Sequence, residues 1–239
     1  MKNRPKTSLA VPALIAATFA LMLAVGAAMP DASASSAAPI EPTQGKANRY
    51  IGAQKCKTCH GKDETGNQHK VWSAGKHAHA FEVLASDRAK EVGKEKGIAD
   101  PQKDAACIEC HQTAYGLDAA LIQKGFDPSL GVQCETCHGP GEQHMMARMK
   151  AASEKVDGYP KIPDGEIIAL PTKEACVACH NPKSPTFQPF CIHERLEKIK
   201  HWNPNRPRTE EQKKGYPCTC DDTCICKKDS PEHKCRDAK

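Results

Sequence analysis

Four times the chain repeats the spacing Cys-x-x-Cys-His, and this repeat constrains the fold more than any other feature. The copies are Cys56-Lys57-Thr58-Cys59-His60, Cys107-Ile108-Glu109-Cys110-His111, Cys134-Glu135-Thr136-Cys137-His138 and Cys176-Val177-Ala178-Cys179-His180. Two thiols three positions apart on a short turn reach the two vinyl groups of one porphyrin and form thioethers, and the next residue sets an imidazole under the iron. Chance gives on the order of 0.04 such motifs in a chain of this composition. Zinc knuckles share the CxxC spacing but do not demand a histidine after every second cysteine. The expectation is four covalently attached haem c groups. They are held by Cys56, Cys59, Cys107, Cys110, Cys134, Cys137, Cys176 and Cys179, with His60, His111, His138 and His180 as proximal ligands.

The rest of the chain needs such a group. Residues 35–239 contain 27 Leu, Ile, Val and Phe among 205, or 13%. Values below roughly 20% usually accompany disorder, and so polar a chain cannot offset the entropy of folding with its own side chains. Porphyrins would replace the missing core. The expected fold is mainly α: short helices and long loops wrapped around four haems, with little or no sheet. The apoprotein is expected not to fold alone.

Residues 1–34 read as a secretory signal peptide, with Lys2, Arg4 and Lys6 before the apolar stretch Leu9–Ala28 and a small-residue cleavage site at Ala32-Ser33-Ala34. Export to the periplasm or the cell exterior follows, with membrane attachment only if the signal stays uncleaved. Without residues 1–34 the formal charge is +3. Eight haem propionates would bring it to about −5, which argues against nucleic acid as a partner.

Residues 35–50 read as a flexible segment, 51–202 as one tetrahaem domain and 203–239 as a Cys-rich tail. Helices are expected over Val71–Leu84, Ser86–Lys96 (with a Ser-Asp start signal), His144–Lys155 and Glu194–His201. Gly139-Pro140-Gly141 stops the third haem turn, and Pro160, Pro163 and Pro171 mark a loop. The tail holds Cys218, Cys220, Cys224, Cys226 and Cys235, none followed by His. With Cys191 they make six, which read first as disulfides in an exported protein and second as a soft-metal thiolate site.

Axial ligation decides between carrying electrons and doing chemistry, because a six-coordinate iron only exchanges electrons whereas an open one binds a small molecule. Seven further histidines are available: His69, His77, His79, His144, His193, His201 and His233. Supply exceeds demand, so mostly bis-histidine ligation is expected. On one helix His77 and His79 would point about 200° apart, so only one of them need be a ligand.

Several stretches of residues 50–202 resemble the tetrahaem cytochrome c-554 family of multihaem c-type cytochromes. These are Trp72 and Lys76-His77-Ala78 after the first motif, Tyr115-Gly116 after the second, and the block Gly131-Val132-Gln133-Cys134-Glu135-Thr136-Cys137-His138-Gly139-Pro140-Gly141. The resemblance implies distal ligands at His77, His144 and His201, three bis-histidine haems, and a five-coordinate iron at His111. It also implies haems packed in close pairs that form a short conduit. The extra histidines His69 and His193 could close the His111 site. The leading function is therefore an exported electron-transfer protein relaying electrons between redox partners, rather than an enzyme. The alternatives are a reductase of a small nitrogen compound, of the nitric oxide type, at the open haem, and a subunit of an extracellular cytochrome filament with ligands donated between neighbours.

Overall fold

The computed structural model describes residues 47–155, 158, 162–188 and 192–214, all belonging to one unit of the chain, residues 42–239. The signal peptide, most of the flexible segment, Cys191, the tail cysteines and His233 lie outside the described residues, as does the side chain of His193. The described residues form nine α-helices joined by loops and 3-10 turns, with no strand beyond an isolated parallel bridge between Tyr50 and Ile122. The chain is mainly α, as its sequence implies. Helices α1 (Ala53–His60), α2 (Gln68–Ser73), α3 (Asp87–Glu95), α4 (Ala105–His111) and α5 (Cys134–His138) precede the longest, α6 (Glu142–Ser153), which has 12 residues. Then follow α7 (Lys173–Val177), α8 (Ile192–Ile199) and α9 (Glu210–Lys214). No helix among the described residues is long and apolar enough to cross a membrane.

Local chemistry explains several boundaries. Ser86 caps α3 by accepting from the amide of Ala89 at 3.2 Å, with Asp87 in the first turn and Lys94 in the last. Asp104 caps α4 through the amide of Ala106 at 2.9 Å. The expected helix over 71–84 is not continuous. It ends at Ser73, runs extended through Gly75 and resumes as 3-10 turns at Lys76–His79 and Glu82–Ala85. Tertiary bonds overrule the helical pattern here. The Trp72 indole donates to the Val132 carbonyl at 2.8 Å, and the amide of Val132 donates to the His77 carbonyl at 2.9 Å. The expected helix from Glu194 begins at Ile192 and stops at Ile199, leaving His201 in the loop beyond it.

The buried hydrophobic residues among those described are only Ile51, Ala53, Leu84 and Ile108, matched by four buried polar ones, Thr113, Gln133, Glu135 and Glu142. The polar ones hold the fold together. Glu135, 2% exposed, accepts from the amides of Ile51, Gly52 and Gly141 at 2.9, 2.7 and 2.7 Å. Burial pushes its carboxyl up from the ordinary value while those amides pull it back. Gln133 receives the amide of Ala53 at 2.8 Å and donates to the Asp127 carbonyl at 2.7 Å. Its own amide donates to the Thr113 hydroxyl at 2.6 Å, which meets Thr136 Oγ1 at 2.6 Å. Gly131, at φ 69°, lies against the His77–Ala80 turn. A Cβ there would stand 2.7 Å from the His77 carbonyl oxygen, so only glycine fits.

Glu135→Ala leaves three buried amides without their acceptor, at about 1–3 kcal/mol for each unsatisfied group. Equilibrium denaturation of the haem-loaded protein should register a loss of roughly 3 kcal/mol or more. A loss within about 0.5 kcal/mol, the range of an ordinary surface substitution, would show that this carboxylate is not a keystone.

Candidate haem sites

Each CxxCH motif forms the end of a short helix. α1, α4 and α5 close on His60, His111 and His138, and α7 continues as a turn in which the His180 amide donates to the Cys176 carbonyl at 2.9 Å. Residues three apart on such a turn are neighbours on one face, so both sulfurs of each motif face the same side. The eight cysteines are free, with no disulfide among them. Burial pushes the Cys137 thiol up to about 11 and the Cys179 thiol up to about 12.

Three pairs of imidazoles face one another. The rings of His60 and His144 have centroids 6.3 Å apart and planes 27° from parallel; His77 and His180 stand 6.0 Å apart, and His138 and His201 5.9 Å. Two imidazoles on opposite sides of one metal, with metal–nitrogen bonds of about 2.0 Å, have centroids about 6.3 Å apart. Every pair joins one motif histidine to one of the expected distal histidines. His79 takes no part: exposed, it pairs with Glu82 at 2.9 Å. Burial holds His77 and His138 below the ordinary imidazole value, which keeps them in the neutral form that a metal ligand requires.

The Nδ1 atoms of several of these histidines are also placed. Nδ1 of His138 meets the Ile168 carbonyl at 2.6 Å, that of His201 the Ile199 carbonyl at 3.0 Å, and that of His60 Gln68 Oε1 at 3.3 Å. His144 Nδ1 meets Glu166 Oε1 at 2.7 Å. Such bonds fix ring orientation and leave Nε2 for the metal.

His111 stands apart. Its Nδ1 meets the Ala80 carbonyl at 2.6 Å, and no second imidazole faces it among the described residues. His69 instead packs edge-on against Trp72, centroids 5.1 Å apart. A cavity of about 350 Å³ lies along the chain after His111, lined by Gln112, Thr113, Tyr115, Leu117, Phe126 and Pro128 among others.

The attachment sites interlock. The thiols of Cys56 and Cys134 lie within electrostatic reach of each other, as do those of Cys179 and Cys110 and those of Cys137 and Cys176. Site one thus adjoins site three, three adjoins four and four adjoins two. The residues fit haem on a further count: the buried polar atoms without partners among the described residues are His69 Nε2, Arg148 Nε and Nη1, and Trp202 Nε1. Arg148 and Trp202 offer only donors, and haem propionates are acceptors that could meet them.

Four helix-borne CxxCH turns and three opposed imidazole pairs are an arrangement that fits a multihaem c-type cytochrome. Residues 55–139 match the model of the family described as cytochrome c554 and c-prime. A relative, the cytochrome c-554 of Nitrosomonas europaea, is 31% identical over 140 residues, covering 55% of this chain and 57% of its own length. Residues 55–139 of this chain are thus similar to the cytochrome c554 family. The chain spans little more than half the length of that curated relative, and no solved structure matches it.

Sequence reasoning missed the partners of the ligands: Glu166, Arg148, Gln68 and the carbonyls of Ala80, Ile168 and Ile199. Only an Arg four residues after His144 on one helix face hinted at any of them. His144→Ala should leave the haem content of the mature protein unchanged and turn one low-spin iron high-spin. An unaltered electron paramagnetic resonance spectrum would mean that His144 is no ligand.

Proposed function

We propose that the chain is an exported tetrahaem cytochrome that relays electrons between redox partners. Cys56, Cys59, Cys107, Cys110, Cys134, Cys137, Cys176 and Cys179 bind four haem c groups. His60 with His144, His138 with His201, and His180 with His77 hold three irons on both faces, and His111 holds the fourth on one. Bound haem supplies reversible one-electron exchange at iron. The protein orients each ring, closes the sixth position of three irons against other chemistry, and brings the four sites into contact.

The observation that carries this reading is the set of three imidazole pairs at 5.9–6.3 Å. The contact order one–three–four–two supports a continuous path. Imidazole pairs without methionine favour low potentials. Redox proteins of the exported compartment are the expected donor and acceptor, and the signal peptide at residues 1–34 supports a periplasmic or extracellular setting. Distal ligands that come from the same chain weigh against a filament whose histidines are donated between neighbours.

Reduction of a small nitrogen compound is the second reading. It is favoured by the ring of His111, which no second imidazole faces among the described residues, and by the cavity lined by the residues that follow it in the chain.

The oxidised holoprotein should have the mass of the polypeptide plus four haems. Its electron paramagnetic resonance spectrum should count three low-spin irons and one high-spin iron. Four low-spin irons would end the reductase reading, and more than one high-spin iron would break the ligand assignment. With one high-spin iron, nitric oxide or cyanide should perturb that signal alone.

A further inference from the structure

Among the five haem-ligand imidazoles whose Nδ1 contacts are described, His144 alone meets a carboxylate. His111, His138 and His201 meet backbone carbonyls and His60 a neutral amide. Glu166 takes the Nδ1 hydrogen bond at 2.7 Å with one oxygen and the Arg148 guanidinium at 2.8 Å with the other. The cluster is largely buried, with side-chain exposures of 15% for His144, 9% for Glu166 and 21% for Arg148. His144 and Arg148 stand four residues apart on α6 and so share one face. Arg148 Nε and Nη1 are buried without a partner, so the guanidinium has donors to spare beyond Glu166.

We propose that Glu166, clamped by Arg148, is a positioning residue that lowers the potential of the iron held between His60 and His144. A buried carboxylate accepting from an imidazole N–H draws that proton toward itself and makes the ring a stronger donor at its other nitrogen. A stronger donor stabilises ferric over ferrous iron, whereas the rings of His111, His138 and His201 meet neutral carbonyls. Arg148 limits the effect by neutralising part of the carboxylate and fixes its geometry with a charge-assisted bond.

The inference rests on the haem ligation proposed for His60 and His144, and the test separates the two. In the matured full-length protein, Glu166→Gln keeps an acceptor near Nδ1 but removes the charge. A spectroelectrochemical titration should then show one of the four steps moved upward, by about tenfold in the reduced-to-oxidised ratio at fixed potential, or about 59 mV for one electron. Haem mass and low-spin iron count should stay unchanged. Arg148→Gln uncovers the carboxylate and should move the same step downward, an opposition that mere loosening of the site would not produce. Unmoved steps in Glu166→Gln with intact low-spin signals overturn the proposal. Loss of a low-spin iron in that variant also overturns it, because Glu166 would then only hold the ring in place. Should Glu166→Gln yield no holoprotein, Glu166→Asp decides: its shorter side chain draws the carboxylate away from Nδ1 and should move the same step upward, and no shift overturns the proposal. The underlying ligation fails separately, through a mass short of four haems or through a His144→Ala spectrum identical to that of the parent.

Discussion

Two imidazoles facing each other at the span of one iron are the constraint on which the rest of this structure depends. Three such pairs recur, at 5.9–6.3 Å between ring centres, and each pins together segments far apart in the chain. His60 reaches across to α6, His77 to the turn after α7, and His138 to the loop beyond α8. A chain with Ile51, Ala53, Leu84 and Ile108 as its buried hydrophobic residues has little apolar surface with which to close such long loops. Covalently held porphyrins supply both the apolar contact and the crosslink.

What the polypeptide adds for itself is a polar latch rather than an oily one. Glu135 sits inside the third attachment turn, between its two cysteines, yet its side chain gathers the amides of Ile51, Gly52 and Gly141. Gln133 and Thr113 extend the same network to Ala53, Asp127 and Gly131. The segment that carries the first haem turn is therefore anchored on the third. That anchoring matches the contact between Cys56 and Cys134. Buried groups satisfied by several directional bonds specify one arrangement more sharply than an equal area of aliphatic contact. Closely packed haems need their relative placement fixed in this way.

The attachment turns were fully legible, because the chemistry of thioether and imidazole is written in five consecutive residues. The helical class followed from composition and turn signals, and the caps at Ser86 and Asp104 are local enough to read directly. The histidines that face His60, His180 and His138 were named only through family resemblance. His77, His144 and His201 lie in unlike local settings, a 3-10 turn, a long helix and a loop, with no shared spacing from the irons they face. The broken helix over 71–84 was illegible for a related reason. Its helical pattern is real, but the Trp72 and His77 bonds to Val132 come from a segment about 60 residues away. Glu166 was invisible because a lone glutamate in a proline-flanked loop carries no local mark.

The loop carrying Glu166 touches more than one site. Within three residues, Glu166 holds His144, and Ile168 accepts from His138 Nδ1 while its own amide donates to the His138 carbonyl at 3.1 Å. His144 and His138, from the first and third facing pairs, thus hang on one short stretch of backbone, and Cys56 and Cys134 of the two motifs lie within electrostatic reach of each other. A displacement of that stretch would disturb both irons together, so these two sites behave as one mechanical unit. His111, by contrast, is secured to Ala80, a turn shared with His77, the partner of His180. The second and fourth sites make the other unit. Cys137 and Cys176 lie within electrostatic reach of each other and link the two units, while His111, which no second imidazole faces among the described residues, belongs to the unit away from His60.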